Sequence, residues 1–183
     1  MTYYTGKDMA RSFRTVRENT LKVAEEIPES KYDFRASPDT RSIAQTLVHI
    51  ALGPGFQLHI HTNRIDDLKK VNFPELAATF GAEEAKPRSK AEIVAMLKAD
   101  GEKFASYLES LPDSFLAEQV AMPPGGVVPA KSRFEMLLGP KEHEMHHRAQ
   151  LMVMQRMIGL VPHLTRQMQE RMAAHAAAAS QAR

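Results

Sequence analysis

His143 and His147 stand four residues apart in the segment His143-Glu-Met-His-His-Arg-Ala-Gln-Leu151. On a helix this spacing puts two imidazoles one turn apart on the same face, within reach of a single metal ion. Leu151, Met154 and Ile158 continue that face, so it points toward a core. Histidines turned into a core need partners, because an unpaired buried polar group costs free energy. Hydrogen bonding inside the core meets that need as well as a metal does, so the pair alone does not decide. His49, in Leu47-Val-His-Ile-Ala-Leu52, has only apolar close neighbours, and the same two readings apply to it. Taken together, three neutral imidazoles with an open fourth position form the donor set of catalytic zinc and related divalent transition metals. His146 is turned by about 60° from His143 on a regular helix and reads as a neighbour of the site. His59, His61, His163 and His175 have no matching spacing and read as solvated.

A metal held by three histidines turns its open-position ligand into a nucleophile at neutral pH, whether that ligand is water or a low-molecular-weight thiol. Glu144 is the acidic residue inside the motif that could accept the proton, the alternative being a solvated carboxylate on the helix surface. His143-Glu144-Met-His-His147 also fits H-E-x-x-H, the zinc metalloprotease pattern in which the Glu is the general base. The extended form of that pattern fails, because Gln150 and Val153 stand where it needs Gly and His. Glu170 has no context that makes it a distant third ligand. A non-catalytic metal or small-ligand binding protein would use the same three histidines.

Composition narrows the field. The chain has 183 residues, enough for one domain over 1–183 with one core. It has no cysteine, which excludes disulfides, thiolate zinc sites and a cysteine nucleophile, so any thiol must arrive with a substrate. The net charge of +2, without a Lys/Arg cluster, argues against nucleic acid or an anionic membrane as partner. The beginning of the chain has no apolar stretch of signal-peptide length, and no segment approaches the ~20 apolar residues of a membrane span. The expectation is a cytoplasmic protein acting on a small molecule.

The elements that must position the histidines read as helices. Met9, Phe13, Val16, Thr20, Val23 and Ile27 mark one face of a helix from Lys7 to Ile27, closed by Pro28. Glu29 to Arg41 reads as a loop. Ser42-Ile-Ala-Gln45, Ser89-Lys-Ala-Glu92 and Ser132-Arg-Phe-Glu135 each fit the capping box, in which the first and fourth residues satisfy each other's backbone N–H. They open a second helix to about His61, a third to about Leu111 before Pro112, and a fourth to Ile158 with Gly159 after it. Pro54 and Pro140 fall inside helices close to the histidines, where each removes a hydrogen bond and bends the axis. They fit either bundle curvature or an opening for substrate, and Gly139-Pro140 could split the fourth helix. Only Gly125-Gly-Val-Val-Pro hints at extended chain. The long connection from Thr62 to Arg88 permits a crossover. The expected fold is all-α: a four-helix bundle with a long crossover between helices two and three, plus an extra C-terminal helix from Thr165 to Ala178 with a fraying end. Met152, Met157, Leu160 and Met168 offer apolar surface for a homodimer.

A Ser-capped helix carrying Leu-Val-His-Ile, followed late in the chain by His143-Glu-x-His-His147-Arg-x-Gln-Leu151, resembles the DinB/YfiT superfamily of damage-inducible-type proteins over roughly Met9 to Pro162. The resemblance implies a four-helix bundle with a crossover, a three-histidine site for zinc or nickel, and frequent dimers. By position, His49, His143 and His147 match the family's metal ligands, and Arg148 and Gln150 match its late-helix motif. Ala149 stands where many members have Gly, which implies different backbone packing there. Relatives include thiol S-transferases and a mycothiol-dependent isomerase, so the resemblance implies a metal-dependent enzyme without selecting the reaction.

Overall fold

The computed structural model describes residues 4–125 and 127–181. The helices are α1 (Gly6–Glu26), α2 (Ile43–Thr62), α3 (Phe73–Glu84), α4 (Lys90–Glu109), the short α5 (Asp113–Ala117), α6 (Arg133–Met157) and α7 (His163–Gln181). Single 3-10 turns lie at Glu29–Lys31 and Leu68–Lys70. Two short strands, β1 (Gln119–Ala121) and β2 (Ala130–Ser132), pair antiparallel with Val120 opposite Lys131. They flank the segment 125–129 rather than running through it; Gly125 turns there with φ 85°, and Gly126 lies outside the described residues.

The helix ends follow from local chemistry. Ser42 and Ser89 close full capping boxes with Gln45 and Glu92. Ser132 accepts from the Glu135 N–H, but the Glu135 carboxylate turns to Lys131 instead of closing the box. Thr5 and Asp8 form a further box at α1, with Asp where the expected pattern has Glu or Gln. Gly159, at φ 86°, follows α6; its N–H reaches Arg156 O and that of Leu160 reaches Gln155 O, the paired bonds of a Schellman ending. Pro140 does not split α6, which runs unbroken to Met157.

α1, α2, α4 and α6 form the bundle, with α1 and α2 each packed on both α4 and α6. Arg14 reaches Glu102 and Glu109 while Lys98 reaches Glu25, so α1 and α4 run antiparallel. Tyr4 meets Phe134 and Arg148 meets the Val16 carbonyl, so α1 and α6 run parallel. His49 meets His143 while His61 meets Arg133, so α2 opposes α6. α2 and α4 are therefore parallel neighbours, and parallel neighbours require a crossover. The connection between them supplies it. It is not structureless: it holds the Leu68–Lys70 turn and α3, which lies against α2.

The core has an end where α1, α2, α4 and α6 contribute Val23, Ile43, Leu47, Leu97 and Leu151, and another around Phe13, Phe104, Leu108 and Leu137. Between them sits the buried Arg17. Its Nε donates to both carboxylate oxygens of Glu144 at 3.0 Å, and Nη1 donates to Leu97 O at 2.7 Å. Its Nη2 lies 3.4 Å from Ile50 O. Pro54, four residues on, has no N–H to give that carbonyl, so the arginine stands in for the missing helix bond. One side chain thus joins all four helices. At Gly101 an added Cβ would lie 2.9 Å from Arg17 Cγ, so α4 leaves room for it only without a side chain.

Candidate metal centre

His49 lies near the middle of α2, and His143 and His147 lie one turn apart on α6. Their rings converge, with candidate ligand nitrogens all within 4.8 Å of one another. The Nε2 atoms of His49 and His143 are 3.0 Å apart, and the ring centroids of all three are 4.5–4.8 Å apart. Nitrogens bound to one tetrahedral zinc at 2.0–2.1 Å stand about 3.3 Å from each other, so small ring rotations suffice to seat an ion. The approach of α2 to α6 depends on Gly53, where an added Cβ would lie 3.0 Å from His143 Nδ1.

The outer ring nitrogens are tied down. His49 Nδ1 donates to Glu84 Oε2 at 2.9 Å, and Glu84 also receives Arg41. His147 Nδ1 donates to Gln150 Oε1 at 2.8 Å, which gives Gln150 a part that its spacing alone did not reveal. An Nδ1 that donates leaves Nε2 as the lone-pair atom for a metal. Burial first, and then the neighbouring histidines and Arg41, push the His143 pKa down to about 4, so its ring is neutral at physiological pH. Burial also lowers that of His147, against the pull of Gln150. For Glu84, burial acts upward but the bonds from Arg41 and His49 outweigh it, and the carboxyl stays below its usual range.

Residues 12–151 match the DinB superfamily. The chain belongs to that superfamily. Solved DinB-like proteins share its fold: one from Bacillus cereus with 17% identity and a TM-score of 0.66, over 88% of this chain and 97% of that one. Another, from Bacillus subtilis, has 21% identity and a TM-score of 0.60, over 82% of this chain and 92% of that one. No curated protein sequence matches the chain significantly.

Within this DinB bundle two recesses meet the histidines. A cleft of about 300 Å³ is walled by Leu52, Phe56, Phe80 and Pro140, with His49 and His143 at its edge. Of the two helix prolines, Pro140 lines it and Pro54 does not, and Gly55 lets the Phe80 ring come within 3.0 Å of where its Cβ would be. A wider, more polar recess of about 680 Å³ lies on the His147 side, lined by Arg35, Arg41, Gln45 and Gln150. Glu84 borders both.

Other expectations are corrected. Glu144 is neither solvated nor turned to the histidines: it is 1% exposed and both its oxygens face Arg17. It sits next to His143 in sequence, and one residue rotates it by about 100° around α6 toward α1. His61 and His163 are buried rather than solvated; His61 meets Arg133 and Gln57, and His163 meets Asn19. His59, His146 and His175 are exposed. Ala149 is exposed as well, so close backbone packing does not arise there. Glu84 was the residue missed, because the connection holding it reads as a crossover loop. Asn72 with Glu75 and Pro74 between them was the available signal, a capped helix start with proline in the first turn.

Proposed function

We propose that this protein is a metal-dependent enzyme in which His49, His143 and His147 hold one divalent transition metal, zinc or nickel, and act on a small molecule. The observation that carries this reading is the convergence of three imidazoles from two helices beside an apolar cleft, with His49 and His147 oriented by outer partners. Such a metal, when bound, supplies Lewis acidity and lowers the pKa of water or a low-molecular-weight thiol in its open position. The chain's own contributions are separate. Gly53 gives His143 its place, Glu84 and Gln150 set the rings, and Leu52, Phe56 and Phe80 exclude water from an apolar group. The reaction is of S-transferase or hydrolase type.

A metalloprotease reading is disfavoured by the Arg17 pair, which occupies the carboxylate that H-E-x-x-H chemistry needs free. A non-catalytic metal or small-ligand binding protein is the second reading, and it shares the same residues. Among the described residues no helix is long and apolar enough to cross a membrane. Exposed Met157 and Met168, beside half-buried Met152 and Leu160, support a homodimer. Sedimentation should give twice the chain mass; a monomer at all concentrations would exclude it.

Metal analysis of protein purified without chelators tests the site. About one zinc or nickel per chain is expected, lost in His143→Ala and His147→Ala and weakened in His49→Ala. Retention of parent stoichiometry by all three variants would place the metal elsewhere. Metal-dependent turnover of a thiol with an electrophile, or of an ester, would separate the enzyme from the binding protein, and casein cleavage would revive the protease.

A further inference from the structure

α3 has no buried residue, yet it ends on a carboxylate that is only 17% exposed. Its contacts with the bundle include the following three. Phe73 stands 5.7 Å from Phe56, ring to ring, Phe80 lies over Gly55, and Glu84 takes His49 Nδ1 on one side and Arg41 on the other. The Arg41 pair by itself is a half-exposed ion pair on a flexible arginine, of the kind that contributes little. The contact with His49 is of a different kind. An ionised carboxylate only accepts, so it fixes the hydrogen on Nδ1 and leaves Nε2 free, 3.0 Å from His143 Nε2. It also stops the ring from turning about its Cβ–Cγ bond, a rotation that would carry Nε2 away from the other two histidines.

We infer that Glu84 is a positioning residue for the metal centre, holding His49 as an Nε2 ligand and making the seating of α3 dependent on the metal. This rests on the three-histidine reading given above. The direction of the coupling follows from linkage. A cation on Nε2 makes the Nδ1–H a stronger donor, which tightens its bond to Glu84 and with it the last turn of α3. Conversely, α3 seated on the bundle lowers the cost of organising His49. The same helix carries Phe80, a wall of the apolar cleft. Metal occupancy and the shape of the cleft are thereby joined through one side chain.

The test compares zinc affinity, measured by competition with a chromogenic chelator, for the full-length parent, Glu84→Ala, Glu84→Met, Glu84→Gln and His143→Ala. Removing a partner of this kind weakens metal binding by about 10–100-fold. That loss is expected for Glu84→Ala and for Glu84→Met, which keeps chain length without an oxygen acceptor and serves if the alanine variant does not fold. Glu84→Gln keeps an acceptor and should recover part of the affinity. Two further readouts separate positioning from mere support of the fold. Nitrogen-15 spectra of the zinc-free protein should show His49 as the Nδ1–H tautomer in the parent and as a mixture in Glu84→Ala. Zinc should slow hydrogen exchange across residues 73–84 in the parent and not in that variant. Parent-like zinc affinity in Glu84→Ala or Glu84→Met, with His143→Ala defective, would overturn the inference and leave the metal site standing. Parent-like affinity in His143→Ala would overturn the metal reading itself.

Discussion

Glu144 and Arg17 show how one position can carry either of two opposite roles. Inside H-E-x-x-H the glutamate is the base of a protease; here it neutralises a buried guanidinium that hydrogen-bonds across the bundle. Removing one member of a buried pair strands the other charge, at a cost of about 3–5 kcal/mol. Glu144→Ala should therefore lower stability by about that amount in urea titration, while the protein that remains folded still binds one metal per chain. A stable variant without metal would reverse the assignment. The spacing of His143 and His147 depends only on helix geometry, and that part of the site was legible. The sequence could not show on which side of α6 Glu144 would find its partner, because Arg17 is 127 residues away in the chain. Gly53 was equally silent: its importance lies in the ring opposite it, not in its neighbours.

At the scale of elements, legibility followed the range of the determining forces. The serine caps, Pro112 and Gly159 act within a few residues, and the helices they bound were readable to within a residue or two. α3 was not, since its one apolar edge rests on α2 and it buries nothing of its own. Where α2 ends and α6 begins, a network of long range joins them: Arg133 donates to His61 Nδ1, and its Nε pairs with Glu118. Burial, then the charge of Arg133, pushes the His61 pKa down to about 4. The unfolded chain titrates this group near ~6.5. Between those values the unfolded state takes up a proton that the folded state refuses, so the contribution of His61 is complete above about 6.5 and is lost as pH falls toward 4. His143 adds to the same slope in metal-free protein. Urea midpoints of chelated protein should fall through this window, and His61→Asn, which cannot titrate, should flatten the decline. An unchanged slope would show that His61 is free to protonate in the fold.

For the whole molecule, the parallel pairing of α2 with α4 was foreseeable from the length of the connection between them, whereas the ring order of the four helices came only with the contacts among them. A DinB fold of this kind places its candidate site at the α2–α6 seam, away from the chain ends. That placement has a kinetic consequence. His49 and His143 are 94 residues apart, so the three-histidine cluster exists only after a very long loop has closed. Loop closure of that length costs entropy before the contact repays it, and we expect the seam to form late in folding. An ion that binds the finished seam cannot speed the steps before it. Zinc should therefore leave the refolding limb of a chevron nearly unchanged and slow the unfolding limb, lengthening the lifetime of the native state rather than hastening its arrival. Stopped-flow folding with and without zinc would read this directly, and a faster refolding limb with zinc would mean that α2 and α6 meet before the rate-limiting step.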